Sequence, residues 1–319
     1  MNLESLSLIA AVSAIALYGL AFIAFAMDLG KRAAPAIVSV PATATTQLAA
    51  ASDARTATAL LEKPITVADQ AKASRWARMA LGLTVIGFVL NATAVITRGL
   101  AAGRVPWANM YEFALTGIAL IVGVFLLVLI FQRVLFLGVY IVGLGLLALV
   151  LATVNFYVTV APLPPALQSV WIVVHVFVAI LGTAFFGLGA GLSIVQLLQA
   201  RREAGKAGLK FLHTLPGSEN LENLAYRLNL VGFVFWTFTL IFGAIWASLA
   251  WGRYWGWDTK EVWTFIIWVI FAGYIHARAT RGWRGSRSAW LAIIGFTAVV
   301  FNFTVVNLFF KGLHAYSGL

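Results

Sequence analysis

Cysteine is absent from this chain, and charge is scarce: Asp, Glu, Lys and Arg make up 10% of 319 residues. Without cysteine there is no thiolate for a metal, no disulfide and no thiol redox step. Any metal chemistry therefore falls to four histidines, His175, His213, His276 and His314. A soluble domain carries about a quarter charged residues, so a chain that is 62% hydrophobic and this poor in charge is an integral membrane protein. Also missing are any repeat at a fixed period and the ~10-residue alternating segments of a membrane β-barrel.

What is present is a series of long apolar runs. Backbone groups in lipid must be satisfied within their own segment, which makes these runs helices, and each crossing takes roughly 20 residues. About eight runs qualify, at 6–27, 77–97, 112–131, 135–154, 170–198, 227–250, 263–279 and 289–310. The fold class is an all-α, polytopic membrane helix bundle. The run Leu6 to Met27 is too long, with too little preceding charge, for a cleaved signal peptide, and residues 1–27 read as a first spanning helix. Residues 28–75, rich in Ala and Thr and containing Pro35, Pro41 and Pro64, read as a cytoplasmic linker. Residues 76–319 form the membrane domain proper.

The net charge of +11 does not point to nucleic acid, because the basic residues sit in short loops between apolar runs. With the N-terminus outside, the inner segments carry 17 of the 22 Lys and Arg, and the outer ones only Arg98, Arg104, Arg253, Lys260 and Lys311. Leaving out Lys31 to Arg78, the bias is still 10 against 5. Both termini are then expected on the outer face of a plasma membrane. His175 lies about one turn into its span from the outside and His314 just past the last span, also outside. His276 falls at the inner end of its span, and His213 in a solvated inner loop.

One outer stretch interrupts the apolar pattern: Trp251-Gly252-Arg253-Tyr254-Trp255-Gly256-Trp257-Asp258-Thr259-Lys260-Glu261-Val262-Trp263. Read as an interfacial helix, it places Trp251, Tyr254, Trp255 and Asp258 on one face. Gly252 and Gly256 leave a bare strip beside them, and Arg253 and Lys260 are available to ligand carboxylates. A large, planar, dianionic ligand such as haem matches this set. The plainer reading is an aromatic belt at the headgroups. Neutral imidazole is a common axial ligand to haem iron, so His175 and His314 are candidate ligands on either side of the stretch. The alternative is that each is an ordinary interfacial histidine. His276, close to Arg278, reads on physical grounds as a snorkelling residue.

These residues resemble a known family. WGRYWGWDTKEVW resembles the tryptophan-rich WWD signature of the cytochrome c assembly proteins. Asn109-Met110-Tyr111-Glu112-Phe113, the run Pro165 to Trp171 followed by His175, Tyr274-Ile275-His276-Ala277-Arg278 and Gly312-Leu313-His314-Ala315-Tyr316 are similar to its other motifs. The nearest likeness is to the CcsA-type (ResC) proteins of System II, with Thr259 standing where that family usually has proline. The resemblance implies a haem-handling subunit in a bacterial plasma membrane, with haem b as cargo. His175 and His314 would ligate the iron on the outer face, above the Trp-rich segment. His276 would ligate haem within the membrane together with a histidine of a ResB-type partner, which displaces the snorkelling reading. Further implied partners are apocytochrome c, whose Cys-x-x-Cys-His accepts the haem through two thioether bonds, and the thiol-reducing pathway proteins. Two alternatives stand beside this: a CcmC-type haem exporter without ligation activity, and a non-haem transporter whose tryptophans are only an anchor.

Overall fold

Every long apolar run is a helix in the computed structural model, which describes residues 2–33, 74–206, 208–280, 282–310 and 312–314. The helices are α1 (Leu3–Ala33), α2 (Arg75–Ala102), α3 (Met110–Phe131), α4 (Gly138–Asn155), α5 (Val170–Glu203), α6 (Ser218–Trp251), α7 (Thr259–Thr280) and α8 (Ser286–Phe301). α8 continues through a π-helical turn, Asn302–Val306, to Phe309. All eight are long and apolar enough to cross a membrane, and no strand occurs among the described residues. The chain is a multi-pass α-helical membrane protein. α1 runs past the expected boundary at residue 27, because Asp28 accepts from both Arg32 and Ser74 and so extends the last turn. The remainder of the expected linker, residues 34–73, lies outside the described residues.

The starts and stops are local. Ser74, Asn109 and Ser169 each cap the helix they precede by accepting a backbone N–H within its first turn. Gly103 and Gly252 end α2 and α6 in the left-handed conformation, at φ 61° and 71°, which a residue with a Cβ adopts only at a cost.

Packing follows membrane logic, with small residues and polar groups inside and branched aliphatics outside. α1 lies against α2 along a seam that includes Ala10, Ala14, Ala80 and Ala94, and the Tyr18 ring rests on Gly87. α5 and α6 press together across Gly182 and Gly232, where a Cβ on Gly232 would come within 2.7 Å of Phe186. Outward-facing Ile9, Leu20, Val89 and Ile241 are about half exposed, as residues facing lipid should be.

A buried ionic network joins the first three helices at the end of the bundle that carries the Trp-rich stretch. Glu112 receives Arg98 Nε at 3.0 Å and Arg104 Nη1 at 2.7 Å, and Arg98 Nη1 reaches Glu4 at 3.0 Å. The Arg98 and Glu112 side chains are 1% and 0% exposed. The same arginines hold the α4–α5 connection by donating to Val158 O and Ala161 O. At the opposite, arginine-rich end, buried Glu222 pairs with Arg278 at 2.6 Å and accepts from Gly285 N.

Candidate functional site

His175 is the sixth residue of α5 and faces α6. Its Nδ1 lies 2.9 Å from Thr239 O. A carbonyl only accepts, so Nδ1 carries the proton and the Nε2 lone pair is free. The ring fits because α6 has glycine at 243, where a Cβ would come within 2.8 Å of it. One turn further along α6, Trp246 stacks on His175 with ring centroids 5.9 Å apart and planes 16° from parallel. Trp246 is 1% exposed, and its indole N–H donates to Ala166 O at 2.8 Å. This bond ties α6 to the Pro165–Leu167 turn that leads into α5.

The Trp-rich stretch is a loop, not the interfacial helix its spacing suggests. Gly252 terminates α6 directly after Trp251, and α7 begins at Thr259. Between them Glu261 organises the chain. Its Oε2 accepts from Gly256 N at 2.8 Å and from Asp258 N at 3.0 Å, the reciprocal bond of a capping box. Trp257, between these two donors, is forced to φ 61°, and its indole is 74% exposed. Tyr254 is exposed as well. Trp255 packs edge-on against Trp257 at 5.7 Å. Gly252 and Gly256 do not form a bare strip: Gly252 is the helix stop, and Gly256 lies under the Arg253 guanidinium, which is 3.7 Å from Glu261. Arg253 is therefore directed at a carboxylate of the chain itself.

His314 returns to this loop from the far end of the chain. Its Nδ1 donates to Asp258 Oδ2 at 2.7 Å, and Leu313 N donates to Asp258 Oδ1 at 3.1 Å. Gly312 is needed there, since a Cβ on it would collide with the Asp258 carboxylate. The hydrogen bond from His314 holds the Asp258 carboxyl below its ordinary value, with partial burial opposing it. The contact is therefore present at neutral pH and is lost only as pH falls through that depressed value. The His314 ring meets Trp246 edge-on at 5.5 Å and Trp251 at 4.9 Å. Both histidines thus border one buried tryptophan, and in both the Nδ1 is engaged and Nε2 left available.

Neither Trp246 nor Glu261 is among the candidate site residues the sequence nominates. Trp246 looks like any span residue. Glu261 was legible as the last member of Asp258-x-x-Glu261, a capping-box spacing. Close by, the Lys260 ammonium donates to the Asn307 amide oxygen, and Phe113 stacks on Phe303 of the π-helical turn at 4.8 Å. A single-turn π segment inside a helix often marks a functional site. The cleft bounded by Asp258, Lys260, Asn307 and His314 has a volume of only about 10 Å³.

His276 is not brought to this site. It lies at the arginine-rich end of α7 on an exposed face, one turn after Gly273, which has nothing within 4 Å of where a Cβ would be. Among the described residues no side chain bonds its ring. His213 is exposed in the α5–α6 connection, beside Arg202.

The position of His175 against α6 gives a first prediction. Gly243→Ala should displace the imidazole and break its bond to Thr239, at an overpacking cost of about 1–3 kcal/mol. The full chain should still accumulate in the membrane but lose ligand-bound absorbance. Unchanged absorbance would mean that the His175 orientation does not matter.

Fold and site together define a polytopic helical membrane protein with a two-histidine, tryptophan-walled site at one end. The profile of the family described as "Cytochrome C assembly protein" matches residues 107–314, a span containing both histidines. The cytochrome c biogenesis protein CcsA of Guillardia theta is 36% identical over 269 residues, covering 75% of this chain and 85% of that one. CcsA of Prochlorococcus marinus is 35% identical over 262 residues, covering 72% and 80%. The chain belongs to the CcsA-type cytochrome c assembly family. Among solved structures, the cytochrome c heme lyase CcmF is similar with a TM-score of 0.64 and 15% identity. All of this chain aligns to 49% of that one, a likeness of fold alone.

Proposed function

We propose that this chain is the haem-handling, CcsA-type half of a System II cytochrome c synthase in a bacterial plasma membrane. The Trp-rich end faces outward, in keeping with the basic residues gathered at the other end. Haem b is the cargo. His175 and His314 hold its iron through Nε2, while Trp246 and Trp251 supply apolar walls. The observation that carries this reading is the matched state of the two imidazoles: each donates Nδ1–H to a fixed acceptor, the arrangement that orients a histidine ligand toward a metal. Attachment adds a cysteine S–H of the apocytochrome across each haem vinyl group, so no atom leaves and no electron is consumed. The task of this chain is to hold the iron while presenting the vinyl edge. A ResB-type partner and thiol-reducing proteins that keep the cysteines available complete the system.

The direct test is reconstitution. Expressed with the ResB-type partner in a bacterium lacking its own cytochrome c maturation genes, the chain should yield a Cys-x-x-Cys-His reporter carrying covalent haem. Haem exported without attachment would favour a CcmC-type exporter. Neither attachment nor export would remove the haem reading altogether.

His276 gives a separate prediction. Its exposed position suits a haem shared with a histidine of the partner, on the inner side of the membrane. His276→Ala should lower the haem content of the purified two-protein complex severalfold while leaving its assembly intact. Equal haem content would return His276 to the role of a snorkelling residue.

A further inference from the structure

We propose that His175 and His314 are unequal iron ligands and that Asp258 is the positioning residue that makes them so; the inference rests on the haem-handling reading above. The two rings have different acceptors. His314 Nδ1–H faces a carboxylate at 2.7 Å, His175 Nδ1–H a peptide carbonyl at 2.9 Å. A hydrogen bond to a charged acceptor is roughly twice as strong as one to a neutral acceptor. The carboxylate also draws the ring proton toward itself and leaves Nε2 a better donor to a metal. Such outer partners are worth about 10–100-fold in metal affinity.

The Asp258 carboxylate is held from two sides. Oδ2, which accepts from His314, also takes Lys260 N in a long contact of 3.4 Å at the start of α7, and Oδ1 takes Leu313 N, so one carboxylate both orients the ring and tethers the segment that carries it. The nearby cations are turned elsewhere, Arg253 toward Glu261 and Lys260 toward Asn307. Among the described residues, His314 is the side chain that pairs with Asp258. His175, in contrast, sits on a rigid helix but has only a neutral backbone partner. The consequence is directional: an incoming imidazole, such as the histidine of a Cys-x-x-Cys-His segment, displaces His175 and leaves His314 on the iron.

The test uses the haem-loaded full chain with its partner subunit in detergent, and measures haem loss to excess apomyoglobin. H175A, which retains His314, should lose haem about 10-fold more slowly than H314A. In a D258N background that difference should vanish, since asparagine keeps the shape and removes the charge. With both histidines present, D258N should raise the midpoint potential of the haem by about 59 mV for a tenfold loss of ferric-state affinity. Equal haem loss from H175A and H314A overturns the proposal, as does a ratio or a potential that D258N leaves unchanged. If D258N does not accumulate, the comparison of the two histidine variants decides alone. A wild-type complex without low-spin haem removes the functional reading beneath it, an outcome distinct from low-spin haem with equal ligands.

Discussion

Replacing His314 or His175 by alanine is expected to abolish covalent haem attachment to a Cys-x-x-Cys-His reporter, with the protein still present in the membrane. Loss of an outer-shell partner alone costs about 10–100-fold in metal affinity, and loss of a ligand costs more. The effect should be chemical and not structural. Both rings border Trp246, but α5 and α6 are held together independently by their glycine seam and by the Trp246–Ala166 bond. Exogenous imidazole should therefore restore part of the activity by filling the vacated space. Normal reporter maturation in either variant would remove that histidine from the ligand set. Failure of imidazole rescue together with loss of the protein from the membrane would make its role structural.

Removal of Glu112 should have the largest effect on stability. Its carboxylate balances Arg98 and Arg104 in a site with almost no access to solvent, and it also accepts from Ala108 N at the start of α3. Truncation leaves Arg98 with only Glu4 and a carbonyl. Breaking one partner of a buried pair costs about 3–5 kcal/mol, a large share of the 5–15 kcal/mol typical of a folded protein. Glu112→Ala should lower the unfolding midpoint in detergent sharply and reduce accumulation. Replacing Arg98 and Glu112 together with leucine should recover much of the loss, because no charge is then stranded. A Glu112→Ala protein as stable as the wild type would show that the network contributes little.

The same network explains why a motif far from the histidines belongs with them. Arg98 and Arg104 fix the α4–α5 connection. That connection presents Ala166 to Trp246, and Trp246 sets the space in which both imidazoles lie. The link from Glu4 to Arg98 spans 94 positions and that from Trp246 to Ala166 spans 80. No local pattern in a sequence contains such pairings.

The spans were legible because a membrane imposes a length and forbids charge, and each run records both constraints. The gathering of Arg and Lys at the end of the bundle opposite the Trp-rich stretch was legible in the same way. The conformation of residues 252–258 was misread because the spacing of Trp251, Tyr254 and Trp255 matches a helical face. Glycine directly after the last turn of α6 and the Asp258-x-x-Glu261 box indicate the opposite, and these short-range signals prevail once α6 has ended. Arg253 was assigned to a ligand on charge alone, whereas its guanidinium faces Glu261. The hydrogen bond between Asp258 and His314 depends on a chain reversal 56 positions later, which no local pattern around Asp258 records.

The most direct measurement is the absorption spectrum of this chain purified with the proposed ResB-type partner, expressed with ample haem. A low-spin, bis-histidine spectrum is expected, with the outer-site component turning high-spin in H175A and H314A and returning to low-spin with imidazole. A colourless complex, or a spectrum indifferent to both histidines, would contradict the account.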